Sequence, residues 1–238
     1  MFIISEIFPQ HGGDLSMAKR MINQSYLAGA SAVKFQLVQN NMFSKDGLDR
    51  SYNEMSFNNL KELVSYSNNI GITPFSTAFT EETLEWCLKL DLEYLKIPAR
   101  MHKENPTLVS KILSCDKKIF ISIRPEEQDE VKIPKKDNFI FLSCISQYPT
   151  ILSDVKLPDF SKSQFSGISD HSLGIAAALK SCSLGAKFLE KHFTFNRNMQ
   201  RATEMAHLGS MDFFELSYLK KLTMEIEEIG KLPKKINP

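Results

Sequence analysis

Two histidines, His171 and His192, lie 21 positions apart, and each follows a carboxylate: Asp170 directly precedes the first and Glu190 stands two residues before the second. Imidazoles with oxygen donors beside them suit a divalent ion such as Mn²⁺, Zn²⁺, Fe²⁺ or Co²⁺, with the carboxylates as ligands or as partners that fix the ring tautomers. The competing reading is two unrelated histidines, each satisfied by its own hydrogen bond. Two lysines, Lys34 and Lys96, interrupt short apolar runs. An ammonium in such a run is costly unless paired or liganded. It suits a phosphate or carboxylate, a salt bridge to Glu6 or Glu190, or Schiff-base chemistry. With the hydroxyls of Ser76, Thr77, Ser122, Ser146 and Ser169 at equivalent places, an anion cradle is the expectation.

These residues all sit at the ends of apolar runs that alternate with helical patterns. Strands are expected at Phe2–Glu6, Ala32–Gln36, Ile72–Ser76, Tyr94–Ile97, Lys118–Ser122, Phe139–Cys144, Phe165–Ser169 and Lys187–His192. Helices are expected at Ser16–Ala28, Ser56–Asn69, Glu82–Leu90, Pro106–Ser114, Leu173–Leu184 and Met211–Ile229, with a short acidic one near Glu126–Val131. Repeated βα units imply parallel strands joined by crossovers. Eight in this length predict an α/β fold, a single-domain (β/α)₈ TIM barrel over residues 1–230 with a tail at 231–238. A doubly wound open sheet is the alternative, but its Gly-rich fingerprint is absent, Gly12-Gly13 being too short for it. In a barrel the chemistry gathers at the C-terminal ends of the strands, so His171 and His192 end neighbouring strands whose axes are about 4.8 Å apart.

Composition excludes other classes. The 238 residues are 42% hydrophobic and 24% charged, enough for a sizeable core. A net charge of +1 gives no reason to expect nucleic acid or an acidic membrane as partner. No apolar run is long enough to span a bilayer, and the apolar start is too brief for a signal peptide. Cys87, Cys115, Cys144 and Cys182 form no CxxC pair and read as reduced, mostly buried thiols of a cytoplasmic protein. His11 follows the first strand in a Gly-rich loop, as a substrate contact or a structural residue; His102 and His207 are expected at the surface.

The same rim segments carry a family resemblance. Ile4-Ser5-Glu6-Ile7-Phe8-Pro9-Gln10-His11-Gly12-Gly13-Asp14 resembles the EIG-x-NH-x-GD opening of N-acetylneuraminate (sialic acid) synthases, a group that includes legionaminic and pseudaminic acid synthases. Ala28 to Gln36 resembles their AGADAVKFQ, Phe75 to Phe79 their STPF, and Leu95-Lys96-Ile97-Pro98 their KIPS. Cys144 to Thr150 is similar to C-x-S-x-YP, Gly167 to Gly174 to GLSDHTLG, and Glu190-Lys191-His192-Phe193-Thr194 to EKHFT.

The resemblance implies condensation of phosphoenolpyruvate with an N-acylated hexosamine-type sugar, giving a nine-carbon 2-keto acid and phosphate. It implies that His171 and His192 hold a divalent metal, Mn²⁺ in the first place, with Mg²⁺ or Co²⁺ as alternatives. Lys34, Thr77, Lys96, Ser122, Ser146 and Ser169 would line the phosphoenolpyruvate site, with Ser76 and Asp170 alongside; Gln36 and Tyr148 would face the sugar; Glu6 and Glu190 would handle protons.

Three departures stand out. The family's C-terminal antifreeze-like domain, which caps a partner's site, is expected to be lacking. The implied partner is then either a second copy of this chain or a separate chain that supplies the cap. The family's PGPD is replaced by Gln200-Arg201-Ala202-Thr203, with Glu204 as the substitute for its aspartate. Ala99 replaces the serine of KIPS, and Arg124 replaces the glycine of STGM, where it either compensates or blocks the site. The alternatives to a synthase are a non-catalytic homologue that binds a ligand or an assembly partner, and another barrel aldolase or deoxy-sugar acid phosphate synthase.

Overall fold

In the computed structural model, which describes residues 1–39, 42, 49–197 and 208–231, all eight apolar runs form strands. They are β1 (Phe2–Glu6), β2 (Ala32–Leu37), β3 (Thr73–Ala78), β4 (Tyr94–Ile97), β5 (Lys118–Ile123), β6 (Phe139–Cys144), β7 (Gly167–Asp170) and β8 (Phe188–His192). Each pairs in parallel with its sequence neighbours, and β8 closes on β1 with Glu6 opposite His192. The closed parallel barrel is the (β/α)₈ architecture that the alternation predicts, and the open-sheet alternative is excluded.

Helices α1 (Leu15–Leu27), α2 (Phe57–Ile70), α3 (Glu81–Lys89), α4 (Met101–Glu104), α5 (Pro106–Leu113), α6 (Ala176–Ser183) and α7 (Phe213–Gly230) surround the barrel. Their starts are set by side chains that satisfy the first free backbone N–H groups. Asp14 accepts from Met17 N–H, Ser56 from Asn59 N–H and Asn105 from Leu108 N–H. Thr80 with Thr83, and Asp212 with Glu215, form reciprocal capping boxes.

The acidic helix expected near Glu126–Val131 is only a single 3-10 turn, Pro125–Glu127. A segment this short cannot offset the cost of helix nucleation, and Glu127 is instead drawn to Arg124 and Lys103. Between β6 and β7 the chain is irregular, apart from the 3-10 turn Leu152–Asp154. The short helix α4 was not anticipated. Of the expected tail, only Lys231 lies within the described residues. Among the described residues no helix is long and apolar enough to cross a membrane.

Two apolar layers hold the barrel. Outward-facing strand residues such as Ile3, Val33, Leu95, Ile121 and Leu189 pack with apolar residues of the surrounding helices, Met21, Leu63 and Leu216 among them. Inside, Ile4, Ala32, Phe75, Phe120 and Leu142 form a second cluster, with Phe2, Tyr94 and Phe188 beneath. Phe120 lies 5.2 to 6.2 Å, centroid to centroid, from the rings of Phe2, Phe75, Tyr94 and Phe188. These rings close the N-terminal end of the barrel and form the floor on which the polar residues above them stand. Gly167 lets β7 approach β8: a Cβ there would lie 2.0 Å from the Phe188 carbonyl oxygen.

Candidate active site

Above the aromatic floor the inward positions turn polar. Side chains two apart on a strand share a face, so Ile4 is followed inside by Glu6, Ala32 by Lys34 and Gln36, and Phe75 by Thr77. By the same step Tyr94 is followed by Lys96, Phe120 by Ser122, Leu142 by Cys144, and Phe188 by Glu190 and His192. A cavity of about 470 Å³ opens above them. Lys34, Gln36, Thr77, Lys96, Ser122, Ser146, Tyr148 and Ser169 line it, together with His171, Glu190 and His192.

A chain of alternating charges runs across its base. Lys34 Nζ meets Glu6 Oε2 at 2.5 Å and Glu190 Oε2 at 3.6 Å, and Lys96 Nζ meets Glu190 Oε1 at 3.3 Å. Lys96 also donates to Ser122 Oγ at 2.5 Å, and Ser169 Oγ donates to Glu190 Oε1 at 2.9 Å. All four charged groups are buried. Burial opposes the charge of Glu190, but Lys34 and Lys96 outweigh it and bring its pKa down to about 2. Burial likewise opposes the charge of Lys34, but Glu190 and Glu6 hold its pKa above the ordinary lysine value. Lys96, with less compensation, is pulled below that value by burial, and burial raises the pKa of Glu6. Glu6 lies behind Lys34 rather than on the cavity wall, where its Oε1 also accepts from Phe8 N–H at 2.8 Å.

His171 and His192 stand at the rim with ring centroids 5.8 Å apart. Each directs Nδ1 at a main-chain carbonyl, His171 to Ile145 and His192 to Phe8, both at 3.0 Å. A carbonyl only accepts, so each Nδ1 carries the proton, which leaves Nε2 as the lone-pair nitrogen of the neutral tautomer. Burial pushes the His171 pKa down to about 4, so the ring is neutral near pH 7. The Tyr148 ring lies 4.1 Å from the His171 ring, centroid to centroid, with the two planes tilted by 59°. The backbone at Gly209 packs on the His171 carbonyl, where a Cβ would lie 2.4 Å away.

This donor set fits a divalent cation: two imidazoles with fixed tautomers, beside a buried carboxylate whose Oε2 accepts no hydrogen bond. Among the described residues no group of three or more His, Cys, Asp or Glu is gathered to hold a metal. The protein offers two nitrogens, and oxygen ligands would complete the shell.

Two expected site residues face the other way. Ser76 points out of the barrel and donates to the Phe35 carbonyl at 3.0 Å. Asp170 also points outward and pairs with buried Lys191 at 2.9 Å, while its Oδ1 accepts from Ser172 N–H at 2.8 Å. Each is one step out of phase with the inward Thr77 and Ser169. His102, expected at the surface, is half-buried, with Nε2 on the Ser122 carbonyl at 2.9 Å. His11 is buried beside Phe8, with Nδ1 accepting from Gly13 N–H, and is not part of the cavity wall. Glu204, His207 and the 200–203 segment lie outside the described residues.

Residues not assigned to the site from sequence also line the cavity: Arg50, Asn53, Arg100, Glu104 and Cys144, alongside Ala99 at the KIPS serine position. For Cys144 the two-residue step along Ile140, Leu142 and Cys144 was the available clue. Arg124 does not plug the cradle. Its Nη1 is held by Glu127 Oε1 at 2.9 Å, and the cavity stays open over both lysines.

Comparison with known proteins gives a consistent picture. Residues 21–234 match the profile described as the NeuB family. The N-acetylneuraminate-9-phosphate synthase of Mus musculus is 30% identical over 267 residues, covering 100% of this chain and 73% of the mouse protein. The N,N'-diacetyllegionaminic acid synthase of Campylobacter jejuni is 30% identical over 261 residues, covering 96% and 76%. The crystal structure of an N-acetylneuraminic acid (sialic acid) synthetase from Leptospira borgpetersenii, in complex with citrate, superposes with a TM-score of 0.86. It is 30% identical, and the match covers 100% of this chain and 87% of that one.

Proposed function

The chain belongs to the NeuB family, and from that premise we propose that it is an enzyme condensing phosphoenolpyruvate with an N-acylated hexosamine-type aldehyde. The product is a sialic-acid-like 2-keto sugar acid, with release of phosphate. The observation that carries this reading is the buried Glu6–Lys34–Glu190–Lys96 charge chain directly beside two imidazoles of fixed tautomer.

His171 and His192 hold the divalent cation, Mn²⁺ by preference, which when bound supplies Lewis-acid polarisation of the acceptor's aldehyde oxygen. Lys34 and Lys96 take the acid groups of the enol phosphate, with Thr77, Ser122 and Ser169 as hydrogen-bonding partners. Gln36, Ser146 and Tyr148, higher on the wall, orient the sugar. The enol carbon bonds to the aldehyde carbon, water adds to the carbon bearing the phosphate, and phosphate leaves by C–O cleavage.

Glu190 accepts the proton of that water. In the unliganded site the two lysines hold its pKa near 2, too low for a base. An anion that draws the lysines to itself weakens that hold and raises the carboxylate's basicity when substrate is in place. Glu6, behind Lys34, keeps that ammonium charged.

The test is phosphate release from phosphoenolpyruvate by Mn²⁺-loaded protein with a panel of N-acylated hexosamines, with mass spectrometry of the keto acid. Turnover that needs both substrates and disappears in His171→Ala supports the reading. Mn²⁺ affinity and turnover unaffected by His171→Ala would remove the metal assignment.

A further inference from the structure

His102 stands behind the cavity wall, touches no part of its lining, and has no role in the condensation as derived above. Its place is explained by where β4 stops. Along a strand, successive residues turn their backbone groups to opposite neighbours. Lys118 N–H bonds the Glu93 carbonyl and Ile119 N–H the Asn138 carbonyl, so Lys118, Phe120 and Ser122 turn theirs toward β4. The β4–β5 ladder ends at Ile97 and Ile121. Pro98 follows and the chain turns into α4, so β4 ends before it can supply an amide to the Ser122 carbonyl. His102 Nε2, carried on α4, takes that place at 2.9 Å. The carbonyl only accepts, so Nε2 carries the proton. Burial lowers the ring's pKa against the pull of the Ser122 bond, and the neutral ring adds no charge behind Lys96.

The residue it holds belongs to the anion cradle. Ser122 is buried, and its Oγ accepts from Lys96 Nζ at 2.5 Å. The next residue of α4, Lys103, reaches Glu127 at 2.6 Å on the turn that follows β5. Adjacent side chains of one short helix thus grip the end of β5 and the segment after it. We propose that His102 is a positioning residue: it pins the end of β5 so that the Ser122 hydroxyl keeps the Lys96 ammonium aimed at the anion on the cavity base. This rests on the synthase reading above and concerns the phosphoenolpyruvate end of the site alone. Without the imidazole a buried carbonyl loses its partner, and the strand end must shift to satisfy it. Lys96 then loses its fixed brace, and the arriving anion has to order it.

The experiment measures steady-state kinetics of the Mn²⁺-loaded protein and its variants with phosphoenolpyruvate and whichever N-acylated hexosamine turns over. His102→Phe keeps a ring but no donor, and His102→Ala replaces it in every comparison if the bulkier variant does not fold. The non-donor variant should raise the KM of phosphoenolpyruvate on the order of tenfold, with the acceptor KM unchanged. His102→Gln, whose amide N–H can reach the same carbonyl, should restore most of the loss. An unchanged KM for phosphoenolpyruvate would overturn the proposal. So would a rise shared equally by both substrates, or a glutamine variant no better than the non-donor one, since either outcome leaves His102 a merely structural residue. If the wild type releases no phosphate with any acceptor, the synthase reading is what fails, and calorimetric titration with phosphoenolpyruvate still decides the role of His102. Binding weakened in the non-donor variant and recovered in His102→Gln supports it; binding that is absent, or equal in all three proteins, overturns it.

Discussion

Lys191→Met tests the idea that a buried ion pair outside the cavity holds the rim in place. Lys191 and Asp170 are register partners on β8 and β7. Their side chains are 0% and 4% exposed and meet at 2.9 Å. Lys191 also donates to the Ser172 carbonyl at 2.6 Å, so the pair ties down both sides of the residue that carries the His171 ring. At an effective dielectric of about 20, charges at this distance attract by about 6 kcal/mol. Desolvation of the two ions offsets much of this in the native pair. Removing only the ammonium leaves the Asp170 carboxylate buried without its counter-charge, and the expected loss is about 3–5 kcal/mol, a large share of an ordinary domain's stability. The assay is urea unfolding at pH 7 with linear extrapolation, alongside Mn²⁺ titration of the folded variant. The double variant Lys191→Met/Asp170→Asn removes both charges, and the Asn oxygen still accepts from Ser172 N–H, so it should recover much of the loss. A single variant within 1 kcal/mol of the wild type, or a double variant no better than the single, would refute the reasoning.

Three further outcomes are expected. Lys96→Met, which removes the ammonium from the cavity base, should lower turnover on the order of 10²- to 10³-fold, read by phosphate release. Phe120→Ala opens a hole in the aromatic floor at a fully buried side chain and should cost about 3–5 kcal/mol in denaturant unfolding. Glu127 has its pKa held below the ordinary carboxylate value by the Lys103 hydrogen bond, against burial, with Arg124 assisting. A depressed carboxylate pKa stabilises the fold fully above the unfolded value and loses that contribution as pH falls through the folded one. Urea midpoints should therefore drop below pH 4.5 more steeply in the wild type than in Glu127→Gln, and parallel profiles would exclude this role.

The barrel was legible because eight apolar runs alternate with helical periodicity, and the runs Phe2–Glu6, Tyr94–Ile97 and Phe139–Cys144 match their strands residue for residue. Facing was harder. Strands covered on both sides are apolar throughout and show no alternation to reveal which residues point inward. In Phe75-Ser76-Thr77 and Ser169-Asp170 the polar residues are adjacent, so both members were assigned to the site although only Thr77 and Ser169 face the cavity. A count in steps of two from Phe75 or Gly167 separates them. The acidic segment after β5 resembled a helix by composition, but its charges had tertiary partners in Lys103 and Arg124. Arg100 at the mouth was hidden for a related reason: it lies beyond its strand, in a segment whose path no local pattern specifies. Arg124 stood out in the sequence, but whether it blocks the site was legible only from its bond to Glu127.

The ring-packed floor has a kinetic consequence. A shaft stopped at one end has a single door, so whatever rests on the lysines must arrive before anything can stand over it. Departures follow the reverse sequence. For the condensation proposed above, shape alone would thus impose an order of addition on the two reactants, without any moving part to enforce the queue.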